Sequence, residues 1–193
     1  MVIGGGASGV SAGIQAARMG VNVLIVEKTD WLGGMLTAAG VSAVDGNYKL
    51  PAGVWGEFMN RLAIHYGGLD SLKTGWVSNV LFEPSVGNAI FNQMVDEESN
   101  LTVWKKSLLK KLWKDKDVWR AIIFDEAQHK QVVEAKVVID ATELGDVAKL
   151  CGVSYDIGME SKQDTGEDIA PEKANNIVQD MTYVAILKDY GKD

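Results

Sequence analysis

Read for the alternation of apolar and polar positions, the chain divides into a small set of elements. Met1, Val2 and Ile3 are apolar and run straight into a glycine-rich turn. Over residues 7–19, apolar side chains recur at Val10, Ile14 and Ala17, the three-and-four spacing of a helix with one buried face, and Gly20 closes it. Residues 21–26, VNVLIV, are too apolar to face water on either side, which predicts a strand inside a parallel sheet. Together these make one βαβ unit, right-handed by the general rule. Residues 31–53 are glycine-rich without a sustained period and predict a long loop. Residues 54–66 predict a helix with Phe58, Leu62 and Tyr66 on one face, closed by Gly67 and Gly68. Pro84, Val86, Ala89, Ile90 and Met94 predict another, running into Asp96, Glu97 and Glu98. Leu101–Trp104, Val118–Phe124 and residues 131–134 are short strand signals that predict a three-stranded β-meander. Residues 135–141, AKVVIDA, are a second candidate for a buried parallel strand, and residues 143–150 return to helical spacing. The remainder is polar until residues 181–187, whose β-rich run predicts a strand of a second layer.

Composition narrows this α/β pattern rather than changing it. The 193 residues, 47% hydrophobic and 23% charged, suffice for one domain or one and a half. A net charge of −7 argues against nucleic acid or an anionic membrane as partner. The densest basic cluster, Lys105, Lys106, Lys110 and Lys111, is interleaved with leucines and reads as the solvated edge of a strand or hairpin. The lone cysteine, Cys151, excludes an internal disulfide and any cluster held by this chain's thiolates alone; in LCGV it reads as a small buried hydrophobe. No run reaches the length of a membrane helix and no leader precedes the turn, so the expected location is the cytoplasm. Strands of such sheets usually run about five or six residues. Only Met1, Val2 and Ile3 precede Gly4, so the chain is expected to start inside its first strand, with a lost leader left open.

The candidate chemistry begins in MVIGGGASGVSAG. Gly4 allows a tight turn off the strand, Gly6 lets backbone approach a pyrophosphate, and Gly9 and Gly13 let the helix pack closely on the sheet. The helix start offers unpaired N–H groups and its positive dipole end to the phosphates. Glu27, 18 residues beyond Gly9, ends the second strand, where a carboxylate accepts hydrogen bonds from ribose hydroxyls and repels a 2′-phosphate. This spacing serves nicotinamide and flavin dinucleotides alike. Trp31-Leu-Gly-Gly-Met35 favours a flavin, because a glycine pair lets backbone run along a flat, extended ligand.

The run VIGGGASGVSAGIQAARMGVNVLIVEKTDWLGGMLTAAG resembles the N-terminus of two-dinucleotide-fold flavoproteins of the glutathione reductase and fumarate reductase type. Within these it most resembles the FAD-dependent oxidoreductases related to the flavin subunit of heterodisulfide reductase. VVIDATELGDVAKLCGVSYDIGME resembles that family's second motif, so the resemblance spans most of residues 1–160. It implies a Rossmann-like FAD/NAD(P)-binding fold with a central parallel sheet, a three-stranded β-meander and the start of a second, substrate domain. Residues 1–150 would form the FAD-binding domain, with a helical insertion over 41–100 and the meander over 101–134; residues 151–193 would begin a substrate or cap domain. Carried over residue by residue, Gly4, Gly6 and Gly9, with Ala7 and Ser8 between them, would face the FAD pyrophosphate. Glu27 and Lys28 would meet the adenosine ribose, and Gly33, Gly34, Met35 and Thr37 the ribityl chain and isoalloxazine edge. Ala141 and Thr142 would lie beside the adenosine half, with Gly145 and Asp146 just beyond. Glu143 departs from the glycine that often follows the threonine in the family; it either points away or narrows the adenosine pocket.

The reaction so implied is two-electron transfer through FAD to a small-molecule substrate. An electron-transfer partner is a further expectation, since some relatives use iron–sulfur clusters and Cys151 alone holds none. No metal ligand set is named. His65, His129, Glu83 and Asp140 are the acid–base candidates, and none has a partner visible in the sequence, so no catalytic residue is named. Two alternatives stand: an incomplete chain that binds FAD weakly or not at all, and an NAD-binding regulatory module.

Overall fold

The apolar runs at the start of the chain pair as parallel strands. Val2–Ile3 (β1) leads through the glycine turn into Ala7–Arg18 (α1) and then Val23–Val26 (β2), which lies parallel to β1 with Val2 opposite Ile25. The structure, a computed structural model, describes residues 1–73, 78–185, 187 and 191. After β2 come a 3-10 turn at Gly34–Leu36, then Ala43–Val44 (β3), Gly53–Tyr66 (α2), Val80–Leu81 (β4) and Pro84–Asp96 (α3). Leu101–Trp104 (β5), Leu108–Asp115 (β6), Val118–Phe124 (β7), Lys130–Ala135 (β8) and Ile139–Asp140 (β9) follow, then Asp146–Leu150 (α4) and Lys162–Thr165 (α5). The main sheet has the order β5-β2-β1-β9, its pairings parallel; β6-β7-β8 form an antiparallel sheet, and β3 pairs with β4.

Side chains alternate across the main sheet. Val2, Val23, Ile25 and Leu101 join the core shared with α1, α2 and α3, whereas Ile3, Leu24, Val26 and Trp104 pack with Ala121 and Ile123 of β7 and Val147 of α4. The sheet is therefore covered on both faces, which is why VLIV carries no polar residue. Val10 and Ile14 of α1 are fully buried, and a Cβ on Gly13 would lie 2.6 Å from Ile25 Cδ1, so glycine sets how closely α1 approaches the sheet. Phe58 of α2 stacks on Phe91 of α3 with ring centroids 4.4 Å apart. Outside this core, Arg18 and Arg61 bridge Glu57, Glu97 and Glu98, tying the three helices together.

Several elements differ from the pattern-based expectation. Leu101–Trp104 is not a meander strand: it pairs parallel with β2 from Val23 opposite Leu101 to Val26 opposite Trp104. Its place in the meander is taken by β6, whose Lys110 and Lys111 are exposed on an edge strand, in keeping with the basic cluster as a solvated edge. The strand expected over 135–141 shrinks to β9, with Lys136 and Val137 exposed before it. Residues 31–53 hold a 3-10 turn and β3 within the expected loop. Cys151 is exposed rather than buried, because it caps α4, a short helix whose one buried residue is Val147. Residues 181–185 form no strand, and Ile186 of that expected strand lies outside the described residues.

Candidate dinucleotide site

The β1–α1 turn uses its glycines for two different reasons. Gly4 has φ +99°, and a Cβ there would run into the Ala141 carbonyl; a Cβ on Gly9 would run into the Gly4 carbonyl. Both are imposed by the fold. Gly6 has φ −65°, open to any residue. The nearest atoms to a Cβ there are Glu143 Oε1 at 3.1 Å, the end of a flexible side chain, and Gly34 Cα at 4.0 Å. Neither backbone conformation nor protein packing demands glycine at this position. Gly6 is also the N-cap of α1, and among the described residues no side chain caps that helix, so leading N–H groups are left for a ligand.

Gly6 opens onto a cavity of about 620 Å³, within the range of small-molecule and cofactor sites. From the turn, Gly4 and Gly6 line it; from the end of β2, Glu27 and Lys28; from the 3-10 turn, Gly34 and Met35. The β9–α4 connection adds Ala141, Thr142 and Asp146. Ala7, Ser8, Gly9, Gly33, Thr37 and Gly145, also expected at the site, stand behind or beside it. Gly33 has φ +106°, and a Cβ there would press on the Phe91 ring at 2.7 Å. Thr37 is buried and its Oγ1 donates to the Leu32 carbonyl at 2.6 Å, holding the loop in shape. Gly145, at φ +68°, starts α4, and Ser8 is exposed.

Glu27 is 7% exposed, with no cation against it among the described residues. Its Oε2 accepts from Gly5 N at 2.6 Å and its Oε1 from Thr29 N at 2.7 Å. The carboxylate thus staples the end of β2 to the glycine turn. A carboxylate has about four acceptor positions, so capacity remains for ribose hydroxyls.

Asp140 performs the same service for the β9–α4 connection. It accepts from Thr142 N at 3.0 Å, Thr142 Oγ1 at 2.7 Å and Ala148 N at 2.8 Å, and Thr142 Oγ1 in turn accepts from Asp146 N at 2.8 Å. Burial pushes the Asp140 carboxyl up, but these bonds outweigh it and hold the group below the usual aspartate range. His65 is exposed away from the cavity, edge-on to Tyr66, and His129 pairs with Asp125 at 3.0 Å. Sequence reasoning missed Ser107, Leu108 and Leu109, which line the cavity beside Val147 and Leu150. Buried Ser107 donates its N–H to the Glu27 carbonyl at 2.9 Å, which draws the start of β6 over the site.

A model of the FAD dependent oxidoreductase family matches residues 1–192. The chain belongs to that family. No curated protein matches it. Among solved structures it is similar to p-nitrophenol 4-monooxygenase PnpA from Pseudomonas putida DLL-E4, at TM-score 0.56 and 16% identity over 82% of this chain and 43% of that one. A flavoprotein/dehydrogenase from Cytophaga hutchinsonii gives TM-score 0.58 and 18% identity over 82% and 43%. The flavin-dependent monooxygenase PieE, solved with FAD and substrate, gives 0.52 and 16% over 82% and 32%. These likenesses establish a shared Rossmann-type fold, and the chain spans less than half the length of each structure. The residues present fit the family's FAD. The cavity joins a helix start without a side-chain cap among the described residues, a glycine that neither backbone nor packing demands, and a buried carboxylate with spare acceptor capacity.

Proposed function

We propose that this chain forms the adenosine and pyrophosphate grip of an oxidoreductase that exchanges two electrons between FAD and a small molecule. Gly6 carries the reading: it is a glycine that the fold itself does not need, at the mouth of the cavity and the start of α1. When bound, the flavin supplies the hydride or electron transfer, and the protein supplies position and environment. Gly6 and the α1 N-terminus take the pyrophosphate, whose charge the helix dipole favours. Glu27 takes the ribose hydroxyls. Leu108, Leu109 and Leu150 offer an apolar surface to the adenine, and Gly34 with Met35 starts the path of the ribityl chain. Asp140 fixes the connection that completes this wall. The docked partner on the flavin is read as a small molecule, with a separate electron-transfer protein as a further partner. The acidic charge weighs against nucleic acid. No described helix is long and apolar enough to cross a membrane. The location is read as the cytoplasm.

Thermal unfolding followed by circular dichroism tests the assignment. A ligand at 100 times its Kd adds about 2.7 kcal/mol to the folded state. FAD should raise Tm and NAD at the same concentration should not. Gly6→Val should keep the ligand-free Tm and lose the FAD response. A Tm rise with NAD equal to that with FAD, or a full FAD response in Gly6→Val, overturns the assignment.

A further inference from the structure

Glu143 follows Thr142 in the β9–α4 connection, is exposed and lines the cavity. Its Oε1 lies 3.1 Å from the Cβ position at Gly6 and 3.0 Å from that at Gly34, so one carboxylate oxygen overhangs both glycines. Among the described residues this carboxylate accepts no hydrogen bond and makes no ion pair. The backbone beneath it is tied down: Asp140 clamps Thr142 and Ala148, and Thr142 clamps Asp146. With the flanking residues held, rotation of its own side chain is a route by which the carboxylate can leave Gly6.

We propose that the Glu143 carboxylate occupies, in the ligand-free protein, the space that the FAD pyrophosphate takes, and acts as an anionic gate that sets FAD affinity. This rests on the reading of the cavity as an FAD site. The start of α1 attracts either anion. Both cannot stay, because like charges in a partly desolvated cleft repel strongly. The side chain is long, exposed and unpaired, so it swings aside at modest cost and gates the site without closing it. A glutamine of the same size keeps the volume and removes the charge; a glycine removes both.

FAD fluorescence titrations of the full chain and of Glu143→Gln and Glu143→Gly test this, with amide shifts of the ligand-free proteins as an independent readout. Glu143→Gln should bind FAD about tenfold tighter than the unsubstituted chain, with Glu143→Gly at least as tight. The gap should narrow in 1 M salt as screening weakens the repulsion. Without ligand, the Gly6 and Gly34 amide resonances should move in Glu143→Gln. Equal or weaker FAD binding by Glu143→Gln, or unmoved Gly6 and Gly34 amides, overturns the gate while leaving the cofactor assignment standing. Failure of all three proteins to bind FAD overturns both.

Discussion

Replacing Asp140 by alanine removes the acceptor of three hydrogen bonds, from Thr142 N at 3.0 Å, Thr142 Oγ1 at 2.7 Å and Ala148 N at 2.8 Å. Hydrogen bonds to a charged acceptor contribute about 1.5–3 kcal/mol and neutral ones about 0.5–1.5 kcal/mol. Asp140 is half-buried, so a value near 1 kcal/mol each applies, or roughly 3 kcal/mol for the set. In a chain of this size 1 kcal/mol moves Tm by about 2–4 °C, so Asp140→Ala should melt roughly 6–12 °C lower at pH 7. Asp140→Asn, which keeps an acceptor but not the charge, should fall between. The pH dependence has a definite sign. The folded-state pKa lies below the unfolded value of about 3.9, so the carboxylate's contribution is fully present above that value. The charge-dependent part is lost as the pH falls through the lower folded value, and the gap between the two proteins should narrow toward pH 2. Circular dichroism melts of both proteins over that range measure it. A deficit under 2 °C at pH 7, or one that persists undiminished at pH 2, refutes the clamp.

Gly9→Ala and Gly13→Ala should separate sharply in urea unfolding. The new methyl of the first meets the Gly4 carbonyl, backbone that cannot yield, for a loss of about 3 kcal/mol. That of the second meets a rotatable Ile25 methyl, and helix propensity returns about 1 kcal/mol, so its loss should be far smaller; the reverse order would show that α1 is free to slide on the sheet. Glu57→Gln should cost about 1 kcal/mol, less in 1 M salt, because Arg18 at 2.7 Å and Arg61 at 2.6 Å are only partly shielded. Arg18 above all holds the Glu57 carboxyl below its usual range, so this contribution stands above about pH 4.3 and fades as the pH falls through the lower folded value; equal unfolding curves at pH 7 would count the network as surface decoration. Glu27→Ala should lower the ligand-free Tm by leaving the Gly5 and Thr29 amides without an acceptor, a loss of about 2 kcal/mol. An unchanged ligand-free Tm with weakened FAD binding would confine Glu27 to the ribose.

The opening βαβ unit was legible because its signals are local. VLIV is apolar throughout since both faces of β2 are covered, and the glycine spacing fixes the helix start beside it. Leu101–Trp104 went astray because its partner is not local. A four-residue apolar run reads alike whether it pairs with the next hairpin strand or with β2, some eighty residues earlier in the chain. The wall of the cavity was half legible for the same reason. Ala141 and Thr142 stand in a recognisable motif, but Leu108 and Leu109 looked like part of a lysine-rich edge. The bonds from Ser107 N to the Glu27 carbonyl and from Lys106 N to the Thr29 carbonyl bring them over the site, and those pairings join segments far apart in the chain.

The glycine motif itself mixes two kinds of constraint that spacing cannot tell apart. Gly4 and Gly9 are glycines because neighbouring carbonyls leave no room for a Cβ, and they would be needed had no ligand ever bound. Gly6 has an ordinary φ, and only the tip of Glu143 stands in its way. A substitution at Gly4 or Gly9 therefore confounds folding with binding, and lost FAD in either variant says nothing about the site. The tip of Glu143 stands against Gly6 across the same space, and neither residue is demanded by backbone conformation or by a side-chain hydrogen bond among the described residues. If the proposed gate holds, they form the pair through which cofactor affinity should change in opposite directions, Gly6→Val closing the pyrophosphate space and Glu143→Gln removing the charge that competes for it.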